Sequence, residues 1–287
     1  MRSGIVAFVI GIGLLVMSFP LIFSAIRETF INKNLHEEYE ITPVFFSDIH
    51  YFIEDNGDIG IETIGNASIL VGNQFRVPSE IHLADASLEK IDDMGFFEQT
   101  FLYHDQMITI RDQFPLGEYS DPLHYFPVSA TSPIEVIING RSFEDSKPIQ
   151  FRPSEFGGDR YNNGLGLLLV QNKSTSQESL AIIKHFGEDE SWSVKNSHWK
   201  ILLVSKEGQT KVETFDNRER KAAPYRTAFI NEANVAPTWL GYTTDEVAFY
   251  TTFMYPLIYP WFTAFLGLLF TVIGGIQRIF FTQSTAV

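Results

Sequence analysis

Apolar residues are distributed unevenly along this chain. They gather in two runs, Gly4 to Ile26 and Leu257 to Ile276, and neither contains Asp, Glu, Lys, Arg or His. A helix rises about 1.5 Å per residue, so an uncharged run of about 20 residues matches the hydrocarbon core of a bilayer. The pattern therefore predicts transmembrane helices at 4–26 and 256–277. Between them, at 28–252, the apolar runs shorten to strand length and are bounded by Gly, Asn, Asp and Pro. Three hairpins are expected: one around Asp55-Asn56-Gly57-Asp58, one turning at Asn139-Gly140 after Ile134 to Ile138, and one turning at Lys206 to Gln209 after Trp199 to Ser205. Further strands are expected at 41–46, 67–71, 96–103, 107–111, 165–171 and 179–186. Helix is scarce. The best candidate runs from Asp85 as N-cap through Leu88 and Ile91 to Met94, with Gly95 as the stop, and a further turn of helix is expected at 217–223.

These elements predict a membrane protein with two transmembrane helices, N- and C-terminal. They flank an all-β or mainly-β antiparallel extracytoplasmic domain, a sandwich or open barrel, with one or two short helices. The proline-rich stretch 115–133 reads as a connector that divides two subdomains. A cleavable leader shares the layout of Arg2 followed by an apolar run. However, bulky Ile22 and Phe23 precede the small pair Ser24-Ala25, so the run is read as a retained anchor.

Orientation follows from flanking basic residues. No Lys or Arg occurs from Thr227 to Ile276, and Arg278 follows the second span at once, which predicts both termini in the cytoplasm and the domain in a periplasm or extracellular space. The chain has no Cys, so no disulfide supports that domain. Two Asn-x-Ser sequons, at Asn66 and Asn172, are present. With 35 acidic residues against 21 basic ones, and three of the Arg residues beside the spans, the domain is strongly acidic. Such a surface repels nucleic acid and favours divalent cations or basic partners.

Small residues mark where the spans can approach one another. Gly4, Gly11, Ser18 and Ala25 recur every seven residues, and Ala7 with Gly11 adds a small-xxx-small pair. Thr263, Gly267, Thr271 and Gly275 recur every four in the second span, and the two stripes are expected to meet. Tyr250, Phe253, Tyr255, Tyr259, Trp261 and Phe262 crowd the outer end of the second span as an interfacial belt. Neither apolar core holds Asp, Glu, Lys, Arg or His, which argues against an ion path or proton relay.

Candidate chemistry is sparse. The segment Val44-Phe45-Phe46-Ser47-Asp48-Ile49-His50 resembles the first metal-binding motif of calcineurin-like metallophosphoesterases, and Gly57-Asp58 and Gly65-Asn66 echo later ones. The chain departs from that family at Ile61, where a second Asp belongs, and at Ala67 and Ser68, where an acidic or His partner belongs. The tight spacing directs the same residues to a hairpin instead. His36 to Glu40 lacks the second His of a zinc-protease helix. Asp48, His50 and His104 are the weak metal candidates that remain, and the acidic turns at Asp55 to Asp58 and Glu188 to Glu190 lack the ordered oxygen spacing of a Ca²⁺ loop.

The expectation is thus a non-enzymatic, membrane-anchored binding, accessory or assembly protein without a cofactor. Its partners would be the lipid bilayer and another membrane or envelope protein. The alternatives are an envelope hydrolase with a metal-assisted site near Asp48 and His50, or a structural protein of a larger assembly such as a membrane-containing virion.

Overall fold

The computed structural model describes residues 2–46, 50–53, 59–63, 67–71, 74–76, 78–91, 94–115, 131–143, 148–150, 164–186, 194–236, 239–245 and 260–283. They form two compact units. One combines residues 1–34 with 239–287, and the other is 35–238.

The first unit is built from α1 (Arg2–Glu38) and α3 (Trp261–Gln283), the latter named after α2 of the second unit. The α1 helix continues past the apolar run because no Gly or Pro stands between Arg27 and Glu38 to stop it. It thus runs roughly 18 Å beyond Ile26. Both helices are long and apolar enough to cross a membrane.

The two helices pack antiparallel, with Gly4 beside Gln277 and Gly274, Gly11 beside Thr271 and Gly267, and Ser18 Oγ within 2.9 Å of Thr263 Oγ1. Gly4, Gly11 and Ser18 are buried, whereas Ala7 and Ala25 are half-buried. Gly275, expected in this seam, has nothing near it, and Gly274 occupies the place. Helix geometry explains the correction. Seven residues return to within about 20° of the starting face, whereas eight overshoot by about 80°. The buried positions of the second helix are accordingly Pro260, Gly267 and Gly274, the same heptad spacing as in the first.

A carboxylate ties this unit together beyond the apolar seam. Glu28 accepts hydrogen bonds from the backbone N–H groups of Tyr242 (2.6 Å), Thr243 (2.6 Å) and Thr244 (3.2 Å), and from the Thr243 hydroxyl. The Tyr242 hydroxyl donates to Asn32 Oδ1 at 2.6 Å, one helical turn further on. Gly241 is required at the bend, because a Cβ there would collide with the Thr244 carbonyl. Glu28→Ala leaves these donors without their acceptor, at a cost of about 1–3 kcal/mol. Amide hydrogen exchange at Tyr242 to Thr244 is expected to accelerate at least about tenfold, and unchanged protection would refute the role given to this carboxylate.

The second unit is a sandwich of antiparallel sheets. Its strands are β1 (Tyr39–Phe46), β2 (His50–Ile53), β3 (Ile59–Thr63), β4 (Ala67–Val71), β5 (Gln74–Arg76), β6 (Ile81–Ile91), β7 (Met94–Tyr103) and β8 (Gln106–Pro115). They continue with β9 (Thr131–Ile138), β10 (Arg141–Ser142), β11 (Pro148–Gln150), β12 (Leu165–Asn172), β13 (Gln177–Phe186), β14 (His198–Ser205) and β15 (Thr210–Asp216). One sheet has the order β15-β14-β13-β12-β1-β4-β5. The other runs β10-β9-β8-β7-β6 with β11 on β9, and β2 pairs with β3 separately.

Alternate residues of the two sheets meet in one core. Leu165, Leu167, Leu180, Ile182 and Val204 come from the first sheet, and Phe101, Ile108, Ile110, Ile134 and Val136 from the second. Polar bonds cross the same interior. Lys184 donates to the Ile134 carbonyl (2.5 Å), and Lys200 donates to the Phe143 carbonyl (3.0 Å). The apolar runs of β12 and β13 are nearly continuous because the first sheet is covered on its other face as well. There α2 (Pro224–Glu232) and residues 233–236 pack, so closely that a Cβ on Gly166 would lie 2.7 Å from that of Ala233.

Each expected hairpin has its paired strands. Asn139 and Gly140 both take positive φ (50° and 78°), the requirement of a two-residue turn that follows strand twist. The turn at 54–58 lies outside the described residues. The helix expected from Asp85 to Met94 is instead the end of β6 and the start of β7, eleven and ten residues long, paired from Ile81↔Tyr103 to Ile91↔Met94. A bulge at Ala84 breaks the alternation there, so apolar residues fall at Ile81, Leu88 and Ile91 rather than at every second position. Of the proline-rich connector, 116–130 lies outside the described residues, while Pro115 ends β8 and Pro133 lies within β9.

Candidate functional site

The outer face of the first sheet holds a cleft of about 390 Å³. Strand register builds it. Tyr39 of β1 pairs with Asn172 of β12, which pairs with Gln177 of β13, while Val170 pairs with Ser179 and Ser179 with Ser205. Cross-strand partners share a face, so these rows stand side by side on one surface. Leu203 pairs with Lys211 in the next row, and Gln209 with Thr210 closes the rim.

The α2 helix supplies the remaining wall. Phe229 meets Tyr39 edge-on (centroids 6.2 Å apart, planes at 85°) and Tyr225 similarly (5.6 Å, 60°), so three rings brace one another. Pro224 starts this helix at a position where its missing N–H costs nothing.

One carboxylate organises the charge beside the cleft. Glu213 on β15 accepts hydrogen bonds from the Tyr225 hydroxyl (2.6 and 2.8 Å) and from Arg226 Nε (3.1 Å), and Lys211 Nζ lies 2.7 Å away. Arg226 also covers the Phe215 ring at 4.8 Å. Burial pushes the Glu213 carboxyl upward, but hydrogen bonds from Lys211, Tyr225 and Arg226 together outweigh it and hold the group below its ordinary value. Tyr225 is raised by burial and then by Glu213, and Tyr39 by burial and then by Glu38. Both phenols stay protonated at neutral pH.

A depressed folded-state value means that Glu213 stabilises the fold above the unfolded carboxylate value of about 4.3 and loses that contribution as pH falls through its folded value. Thermal unfolding of the native chain and of Glu213→Gln should therefore differ at pH 7, with the gap closing only as pH falls below the ordinary carboxylate range. A gap independent of pH would contradict this linkage.

Of the metal candidates, Asp48 lies outside the described residues and His50 pairs with Thr63 in the β2–β3 ladder. His104 sits in the tight turn after β7 with φ of 49°, and its Nε2 lies 2.9 Å from Glu178 Oε1. The neighbouring Tyr103 hydroxyl is buried without a well-aligned hydrogen-bond partner, and burial together with the nearby Glu178 charge raises it strongly. Among the described residues no three His, Cys, Asp or Glu converge as a metal set. The acidic turns at Asp55 to Asp58 and Glu188 to Glu190 lie outside the described residues.

Sequence reading missed a histidine and serine pair. His185 Nε2 lies 3.0 Å from Ser197 Oγ, with the imidazole stacked on Trp199 at 5.3 Å. Both residues are buried, so the pair holds the packing around Trp199 and is closed to a substrate. Of the residues expected to form an interfacial belt, Trp261 and Phe262 are exposed on α3, and Tyr250, Phe253, Tyr255 and Tyr259 lie outside the described residues. Asn172 of the second sequon caps its own turn, accepting from Ser174 N (3.0 Å), the Ser174 hydroxyl (2.7 Å) and Thr175 N (3.0 Å).

The cleft was not foreseen, because its walls come from five strands and a helix that the chain brings together from residue 39 to residue 229. Comparison with known protein families, with curated proteins and with solved structures finds no match to this chain.

Proposed function

We propose that this chain is a non-enzymatic, membrane-anchored binding or accessory protein. Its paired terminal helices lie in the bilayer, and its β-sandwich engages a ligand or an envelope partner outside the cytoplasm. The observation that carries the reading is the inverted packing of the terminal helices. Small residues face the partner helix, while Val16, Met17, Phe19 and Phe265 point outward at 60–68% exposure. In water such a surface is costly, at about 25 cal/mol for each Å² of apolar area, and lipid removes that cost. The absence of Lys and Arg from Thr227 to Ile276, followed by Arg278, supports cytoplasmic termini.

The hydrolase reading calls on His104, which is engaged by Glu178, and gains no support from that contact. Three measurements test the proposal together. The chain should stay in the membrane fraction after alkaline carbonate, and protease added to sealed cells should cleave the sandwich while leaving both termini protected. Mild extraction should then recover a stoichiometric partner. Release by carbonate, protection of the sandwich, or a monomer that turns over small substrates would overturn it.

A further inference from the structure

We propose that the cleft on the outer face of the first sheet binds a neutral, hydroxyl-rich ligand, namely a saccharide. This rests on reading the sandwich as a binding domain and names the ligand class of its site. Charge is the first argument. The acidic chain carries 35 Asp and Glu, yet among the described residues the only charged one lining the cleft is Lys211, which lies 2.7 Å from Glu213, a carboxylate it shares with Arg226. An anionic ligand would have to compete with Glu213 for Lys211, and a cationic one would meet no carboxylate among the described lining residues.

Chemistry is the second argument. Gln177, Ser179, Gln209 and Thr210 present amides and hydroxyls, while Asn172 and Ser205, already bonded within their own turns, shape the floor. Both group types donate and accept hydrogen bonds, as sugar hydroxyls do. Beside them, the half-buried rings of Tyr39 and Tyr225, backed by buried Phe229, offer aromatic carbon that suits the C–H face of a pyranose ring. A purely apolar ligand would strand the polar rim without partners, a cost of about 1–3 kcal/mol per group.

Rigidity and size agree with this assignment. Tyr225 is fixed by its hydroxyl, shared between both oxygens of Glu213, and both tyrosines are braced by Phe229, so little ordering is left for binding to impose. The volume of about 390 Å³ lies within the roughly 300–1,000 Å³ of small-molecule sites.

The test uses the full chain in lipid nanodiscs free of glycoside detergents, titrated by calorimetry and saturation-transfer NMR. The probes are maltotriose, cellotriose and tri-N-acetylchitotriose, with a sulfated trisaccharide as the charged comparison. At least one neutral probe should bind saturably with a Kd of millimolar or tighter. Tyr39→Ala should weaken it at least tenfold, and so should Thr210→Trp, which fills the cleft from an exposed rim position and keeps the test valid if the first variant misfolds. Met107→Trp, on the exposed face of the other sheet, should leave it unchanged.

No saturable binding below about 10 mM, tighter binding of the sulfated probe, or binding indifferent to both cleft variants would overturn the proposal. Failure here is separable from failure of the binding-protein reading. A protein partner displaced by Thr210→Trp with no saccharide bound sinks the ligand class alone, whereas hydrolysis of a bound saccharide sinks the non-enzymatic reading alone.

Discussion

Gly11→Leu should separate the terminal helices. A Cβ at Gly11 would stand 2.5 Å from Thr271 N and 2.7 Å from Gly267 O, both backbone atoms, so no side-chain rotation relieves the clash and the whole facing helix must retreat. Overpacking a tight interior typically costs about 1–3 kcal/mol, and a leucine against backbone belongs at or above the top of that range. Retreat would also break the Ser18 to Thr263 hydrogen bond, 2.9 Å long and made where Ser18 is fully buried.

The chain has no Cys, so the pair Ser18→Cys and Thr263→Cys reports proximity without background. Oxidative cross-linking should be efficient in the otherwise native chain and largely lost with Gly11→Leu. Gly13→Leu, with nothing near its Cβ position, should leave cross-linking intact. The same assay separates neighbouring glycines. Gly274→Leu should abolish the link, because its Cβ would lie 2.6 Å from both Gly4 O and Phe8 N, whereas Gly275→Leu should not. Equal effects at both positions would refute the seam.

Trp199→Ala should cost the second unit about 3–5 kcal/mol, the range for removing a large buried aromatic. Trp199 has no exposed surface, lies between His185 (5.3 Å) and Phe215 (6.3 Å), and donates from Nε1 to the Val235 carbonyl at 2.9 Å. Its removal opens a cavity, leaves that carbonyl without its donor, and loosens the layer that α2 lays over the sheet. Domains are commonly stable by about 5–15 kcal/mol, so much of the margin would go.

Urea unfolding of the full chain should show the loss as an earlier midpoint for the sandwich. Trp199→Phe, which keeps a ring and loses only the indole donor, should fall between. Trp239→Ala, at 53% exposure, should stay within about 0.5 kcal/mol of the native chain. A Trp199→Ala chain as stable as the native one would mean that the α2 layer does not support the sheet.

Sequence alone made the long-wavelength features legible. Two uncharged runs announced the apolar helices, and Asn-Gly at 139–140 announced its hairpin because few residue pairs tolerate two positive φ angles in succession. Features that depend on tertiary partners were hidden. The segment from Asp85 to Met94 has the i, i+3 spacing of a helix at Leu88 and Ile91, and only pairing with β7 and the bulge at Ala84 made it strand. The α2 helix was missed because Thr227 to Ile230 are all buried, with Asn231 nearly so, which erases the 3.6-residue alternation. Pro224 was the clue to its start. The cleft needed strand register, which a one-residue slip would have turned to the opposite face.

The antiparallel seam also fixes an order of events in synthesis. Ser18 meets Thr263 across 245 positions of chain, so the first helix leaves the ribosome long before its mate exists. Domains generally fold as they emerge, amino end first, and contacts of such long separation close last. In the membrane arrangement proposed above, the glycine face of the first helix would therefore wait in the lipid while the intervening sandwich matures, exposed to any neighbouring span with a similar groove. Chains truncated during translation would carry that unmatched face permanently, which makes them natural targets for membrane quality control.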